Sequence, residues 1–279
     1  MTRNRLAALI STAVAVTAFS SFASATQITN WNLDLTGQGG GNTTGISNLA
    51  FNGESFVQNT GAGPVYSFND LGVFNINQYN GGLSLKLNGG ELTAVFKGTG
   101  TTNLTTGAFT FNAGGSLDFY YQALGSANYG TTAANYYGAG DGTHIATFTQ
   151  LAGYGGAINP DGTPAANGVV TAGFTLTNEP IAGIWKYLGV DLPLYLTLGF
   201  VTTNASQDNS ANSGTYTIDP NLVLALSGAA GTTNNAPSHF FVNNGGQFKL
   251  ETVPEPATLA LLGIGLLGMG VGGMRRRKA

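Results

Sequence analysis

The sequence predicts an all-β exported domain, a single antiparallel sandwich or jelly-roll-like fold with one short helix. Three observations carry that prediction. Short alternating apolar and polar runs recur every 8–12 residues between turn signals, the pattern of a sandwich or barrel. The chain has 43 glycines in 279 residues, yet aliphatic and aromatic residues return at regular intervals, so the glycines read as turns in a folded sheet. Cysteine is absent, so the fold depends on core burial and strand pairing, with no disulfide to staple it.

Arg3 and Arg5 lead into the apolar run Leu6 to Phe22, and Ala23-Ser24-Ala25 supplies a small-residue cleavage pattern. Residues 1–25 therefore read as a secretory signal peptide cut after Ala25, with Ala23 and Ala25 at the recognition positions. Residues 26–252 are the exported domain. Only Lys86, Lys97, Lys186 and Lys249 are basic there, against twelve of the thirteen acidic residues, so its net charge is near −8. Such a surface repels nucleic acid and suits divalent cations or basic partners. Charged residues are 8% of the chain, leaving Asn, Thr, Ser, Gln and Gly to keep the surface polar, a composition that suits an extracellular matrix protein.

Within the domain, Trp31 to Leu35 alternates as a first strand, and Gly37 to Gly45 is a polar glycine loop. Strands are expected at 65–68, 72–78, 83–87, 92–97, 108–111 and 117–122. Asn80-Gly81-Gly82 and Asn88-Gly89-Gly90 are hairpin turns, because Asn and Gly accept positive φ. Residues 123–142 form a long loop rich in Tyr, Gly and Ala. Further strands are expected at 144–151, 169–177, 194–203, 215–218, 222–226, 239–243 and 247–251. Pro180 to Val190 holds Ile181, Ile184, Trp185 and Leu188 at helical spacing and is the expected helix.

Residues 253–279 form the third region. Val253-Pro254-Glu255-Pro256 precedes an uncharged stretch from Ala257 to Met274, and Arg275, Arg276, Arg277 and Lys278 follow. As a helix that 18-residue stretch spans about 27 Å, enough to cross a bilayer, with the four cations retained in the cytoplasm. Pro254, Glu255 and Pro256, the apolar span and the basic tail together resemble the PEP-CTERM sorting signal of exported proteins of Gram-negative bacteria. The resemblance implies that an exosortase, a membrane-embedded transpeptidase, reads the tripeptide. The chain would be held transiently in the inner membrane and then delivered to the cell surface or extracellular matrix.

Catalytic and metal-binding patterns are sparse. His144 and His239 are the two histidines. Asp141 near His144 admits a hydrolase arrangement, but no Gly-x-Ser-x-Gly elbow accompanies it, and the two histidines with a carboxylate make the one zinc set available. No cofactor is expected. Asp141, Asp161 and Asp208 on loops are the candidates for a structural calcium, without a completed Asp-x-Asp-x-Asp-Gly loop. Tyr120, Tyr129, Tyr136 and Tyr137 lie in the densest aromatic stretch and are the candidate glycan contacts, since aromatic faces stack on sugar rings; packing is the competing use. Phe119-Tyr120-Tyr121, Asp141-Gly142-Thr143-His144 and Ile184-Trp185-Lys186-Tyr187, set in a Gly/Asn-rich β frame, resemble flocculation-associated PEP-CTERM proteins of floc-forming bacteria. That resemblance implies a non-enzymatic matrix protein that associates with exopolysaccharide in flocs or biofilm. A lectin-like carbohydrate-binding module is the second reading and a secreted hydrolase the third.

Overall fold

The computed structural model describes residues 25–165 and 168–253. The signal-peptide reading, apart from Ala25, and the Pro-Glu-Pro, apolar-span and basic-tail readings fall outside the described residues. No helix among the described residues is long and apolar enough to cross a membrane.

The domain is all-β and antiparallel, as expected, and its long strands close on themselves. Four of them, β4 (Asn48–Thr60), β5 (Val65–Tyr79), β7 (Glu91–Asn103) and β16 (His239–Thr252), run 13 to 15 residues. β8 (Ala108–Phe111) and β9 (Ser116–Gln122) lie end to end along β7. β10 (Thr143–Gln150) and β11 (Gly155–Ala157) lie end to end along β9 and β8. β12 (Gly168–Asn178) and β15 (Thr197–Gln207) follow, and β16 returns to pair with β4 from His239↔Gln58 to Lys249↔Asn48. Each end-to-end pair acts as one stave, so the ring is an eight-stave up-and-down barrel rather than two packed sheets. The local pattern cannot announce that difference, because sandwich and barrel strands alternate alike; only the β16–β4 pairing distinguishes them.

Period-two alternation sends one face of each strand inward. Phe51, Phe68, Phe96, Phe111, Phe119, Phe174 and Phe248 fill the interior as one buried cluster. Inward glycines make room for these rings. A Cβ on Gly100 would lie 2.3 Å from the Phe68 ring, one on Gly199 2.6 Å from Phe248, and one on Gly72 2.9 Å from Phe74. The outward faces of β7 and β16 carry Lys97, Thr99, Thr101, Asn243, Gln247 and Lys249. Apolar-in and polar-out is the reverse of a transmembrane barrel.

A small second sheet closes one end. It consists of β2 (Trp31–Asp34), β3 (Asn42–Ile46), β13 (Trp185–Tyr187) and β14 (Val190–Asp191). Trp31 stacks on Trp185 at 5.4 Å, and Trp185 meets Phe119 edge-on at 5.2 Å. The chain enters at this end too, as β1 (Gln27–Ile28) pairs with Glu251 and Leu250 of β16. The hairpin at Tyr79 is completed by the two-residue β6 (Leu83–Ser84). Asn80, Gly81, Asn88 and Gly89 all take positive φ, as the turn reading requires.

Three expectations are corrected. Residues 180–190 are not helical: Gly183 (φ +86°) and Leu188 (φ +53°) break the run. The Glu179 carboxylate accepts the Trp185 N–H at 3.1 Å and turns the segment into the β13–β14 hairpin. The helix is α1 (Pro220–Ser227), where a strand is expected. Asp219 caps it by accepting the Asn221 N–H at 2.8 Å, Pro220 opens it and Gly228 at φ +74° closes it. These are ordinary helix boundaries. Leu222, Val223 and Leu226 pack on the outward Phe56, Val73, Val95 and Phe241, forming a second core outside the barrel. Residues 215–218 form no strand.

The register yields a test on two adjacent glycines of β16. A Cβ on Gly246 would meet the Thr202 carbonyl at 2.3 Å and Phe51 at 2.9 Å, whereas one on Gly245 meets nothing within 4 Å. Gly246→Ala is expected to lose about 1–3 kcal/mol by overpacking, and Gly245→Ala to stay within about 0.5 kcal/mol of wild type. Urea unfolding of both variants measures the difference.

Candidate functional site

The loop 123–142 folds back over the outer face of the barrel. Glu91 Oε1 accepts the backbone N–H groups of Asn128 and Tyr129, both at 2.9 Å. Asp141 accepts from Gln122 Nε2 at 2.5 Å and from Asn128 Nδ2 at 2.7 Å. The loop thus hangs from two carboxylates. At its apex Asn135, Tyr136 and Tyr137 take φ of +49°, +58° and +63°, and Gly138 follows at +80°. A left-handed turn of three non-glycine residues costs roughly 1–2 kcal/mol per residue. Gly138 N–H to Ala134 O (2.9 Å), Ala139 N–H to Tyr136 O (3.0 Å) and Tyr137 Oη–H to Asp219 Oδ2 (2.6 Å) hold it.

All four candidate tyrosines are half-buried, and they divide into two pairs. Tyr129 and Tyr137 meet edge-on at 5.3 Å. Burial pushes both phenols well above the usual range, with Asp219 adding to the effect on Tyr137. That pair packs. Tyr136 accepts a hydrogen bond from Lys97 Nζ at 2.8 Å, and the same ammonium sits 4.3 Å from its ring centroid. Tyr120 lies 5.1 Å from the His144 ring, and burial, then Asp118 and then Tyr136, raises its pKa. Tyr120 and Tyr136 both pack against the outer core, Tyr136 with Lys97 and Tyr120 with His144, so the two pairs form an aromatic patch outside the barrel that carries Lys97, with Asp118 3.6 Å from the histidine.

The patch adjoins a groove of about 470 Å³ lined by Lys97, Asn69, Thr99, Gln58 and Leu226. A second hollow of about 410 Å³ continues from Phe56, Gln58 and Ser227 to Thr232, Thr233 and His239. Amides, hydroxyls and aromatic faces along an open trough are the chemistry that recognises sugar hydroxyls and ring faces. Sequence reasoning singled out the tyrosines and missed Gln58, Asn69 and Lys97, which come from β4, β5 and β7. The one signal for Lys97 was its rarity, as one of four cations in the domain.

The other candidate residues are engaged separately. Asp161 Oδ1 accepts from the N–H and hydroxyl of Thr163, and Asp208 Oδ1 from the Ser210 N–H. Asp141 is held by its two amides. Each aspartate ties up its own loop, and no group of three or more His, Cys, Asp or Glu placed to hold a metal occurs among the described residues. His144 does not bridge a nucleophile and an acid: Thr147 Oγ1 and Asp118 Oδ1 both approach the same Nε2, at 3.0 and 3.6 Å. The Thr147 hydroxyl donates to Asp118 at 2.7 Å. His239 packs against Phe56 at 5.9 Å.

The barrel interior holds a polar layer. Thr203 Oγ1 donates to Asn244 Oδ1 at 3.2 Å, and Asn244 Nδ2 donates to Ser55 Oγ at 3.3 Å. Ser55 and Asp70 line the same two apolar cavities, of about 60 and 50 Å³. Asp70 Oδ1 is covered and has no hydrogen-bond partner. Burial pushes the Asp70 carboxyl up to about 7, opposed by the Ser55 hydroxyl. On the outer face, burial and the nearby Asp208 raise Glu54 to about 8, opposed by the Asn243 amide at 2.9 Å.

Residues 252–278 match the PEP-CTERM protein-sorting motif, one residue offset from the region 253–279 read from the sequence. The motif implies exosortase sorting, export and transient membrane anchoring through the C-terminal region. No curated protein and no solved structure matches the chain.

The two raised carboxyls set a pH dependence. The folded state holds protons that the unfolded chain releases near 3.8 at Asp70 and 4.5 at Glu54. The contribution of these two groups to stability is therefore full below about pH 4 and is lost as pH rises towards 8. Thermal midpoints of the domain are expected to drop across that window, and the slope to flatten in the Asp70→Asn, Glu54→Gln double variant.

Proposed function

We propose that the exported domain is a non-enzymatic surface or matrix protein that associates with exopolysaccharide and so promotes floc or biofilm cohesion. The observation that carries this reading is the Tyr120–Tyr136–Lys97–His144 patch opening onto the amide- and hydroxyl-lined groove. Two half-buried rings supply stacking faces, and Lys97 supplies a cation in a domain of strongly negative net charge, suited to an anionic sugar substituent. The sorting motif supplies the address and the barrel supplies the cargo.

A lectin-like module is the same surface read more narrowly, as a saturable site for one glycan. The groove, several hundred Å³ in volume, supports it. The hydrolase reading finds less support in the arrangement around His144, whose Nε2 is shared by Thr147 and Asp118.

Two experiments test the proposal. The mature protein is expected to bind the native polysaccharide in calorimetry, and Tyr136→Ala with Lys97→Ala to weaken binding about tenfold or more, roughly the loss of one stacking contact. Unchanged binding in the double variant removes this surface from the reading. For the tail, Glu255→Ala is expected to accumulate in the inner membrane with Arg275 to Lys278 attached; normal release of that variant removes the tripeptide's sorting role.

A further inference from the structure

The closed end of the barrel carries an apolar surface that the fold does not use. Within residues 188–196, Leu188 (77% exposed), Val190 (65%), Leu194 (41%), Tyr195 (64%) and Leu196 (60%) lie open, and Leu192 alone is buried. Asp191 is the one charge in that stretch. Two of the five sit at backbone positions that glycine or asparagine would fill at lower cost, Leu188 at φ +53° and Tyr195 at φ +61°. A bulky residue in the left-handed region is a true outlier. Such strain collects at functional positions, and here it places large apolar side chains in water.

Position identifies the partner. Thr197, next after this surface, pairs with Thr252, and Gln27 pairs with Glu251. Both ends of the described domain therefore leave the barrel at this one end. Only four residues, Val253 to Pro256, separate Thr252 from the apolar run that begins at Ala257. Five Cα steps reach at most about 18 Å, so the anchored domain cannot stand far from the bilayer and this end is the one nearest to it.

We propose that Leu188, Val190 and Leu194 to Leu196 form a lipid-contacting rim that rests in the outer interfacial layer of the inner membrane while the chain is anchored. The inference rests on the anchoring reading of the C-terminal region. Leucines and a tyrosine with a single charge suit that layer, where an aromatic ring with a polar tip sits at headgroup depth. The rim would hold the barrel close against the membrane and keep the short Pro-Glu-Pro tether at the height of a membrane-embedded enzyme. Once the chain is cut, the binding of five side chains alone is reversible, and the domain can leave.

The chain has no cysteine, so a single introduced thiol labels uniquely. The full-length protein carrying Leu196→Cys, Leu188→Cys or Val65→Cys, each with a polarity-sensitive fluorophore, is reconstituted into phosphatidylethanolamine/phosphatidylglycerol vesicles. Val65 is 49% exposed and starts β5, whose other end at Tyr79 lies beside Leu49 near the closed end. Labels at 188 and 196 are expected to be quenched by nitroxide lipids and to show roughly threefold or more lower iodide quenching than the label at 65, the behaviour of an interfacially seated group. Flotation with equal iodide access at all three positions overturns the rim alone. Failure to float overturns the anchoring reading and the rim together. Shielding seen in native inner membranes but not in pure lipid overturns a lipid partner in favour of a protein.

Discussion

The pairing of β16 with β4 is the constraint on which the rest depends. It joins residues almost two hundred positions apart and turns a meander of strands into a ring without exposed edges. Closure then dictates what the interior must contain. Eight strands leave just enough width for side chains to fill. Here the filling is phenylalanine rings laid over glycines of neighbouring strands. The high glycine content thus has a second use beside turns: Gly53, Gly72, Gly100 and Gly246 lie within strands, where a Cβ would collide with a ring or a carbonyl. The cost of glycine in a strand is offset by the ring area it lets the core bury.

The same closure explains why chemistry collects outside. With the inside filled by rings and a few polar side chains, ligand contacts sit on the outer wall or at the ends. On the wall, α1 and the loop 123–142 build a second core, and its margin leaves Tyr120 and Tyr136 half-covered, Tyr136 beside Lys97. The left-handed turn at Tyr136 and Tyr137 is held by Asp219, which also caps α1. Helix start and loop apex thus share one carboxylate, and the position of the patch is tied to the packing of the helix.

Much of the fold was legible. The all-β class, the turns at Asn80 and Asn88 and the strands at 108–111 and 117–122 follow from local alternation and turn chemistry. β4 escaped because its inward positions read Leu49, Phe51, Gly53, Ser55, Val57: glycine and serine interrupt the apolar period, and the reason for them lies on other strands, in Phe74 and Asp70. The false helix at 180–190 had apolar spacing but Glu179 in place of a capping residue before Pro180 and Gly183 in its first turn, whereas Asp219-Pro220 and Gly228 marked the true one at both ends. In the candidate site, the tyrosines were visible as a cluster in the sequence. The groove was not, since Gln58, Asn69 and Lys97 meet only through strand register.

The register also separates the barrel from its address. The β16 ladder runs unbroken to Thr252, opposite Thr197. The residues that follow are Val253 and Pro254, and proline has no N–H with which to extend a ladder. The hydrogen-bonded frame therefore ends where the sorting motif begins, and removal of the tail takes no rung from the described sheet. Trp31, Trp185 and Phe248, which seal that end, are fully buried, and Trp185 packs on both of the others. A barrel completed in this way can be released by a single cut without reopening its core, which is what a protein held first by a membrane and later outside it requires.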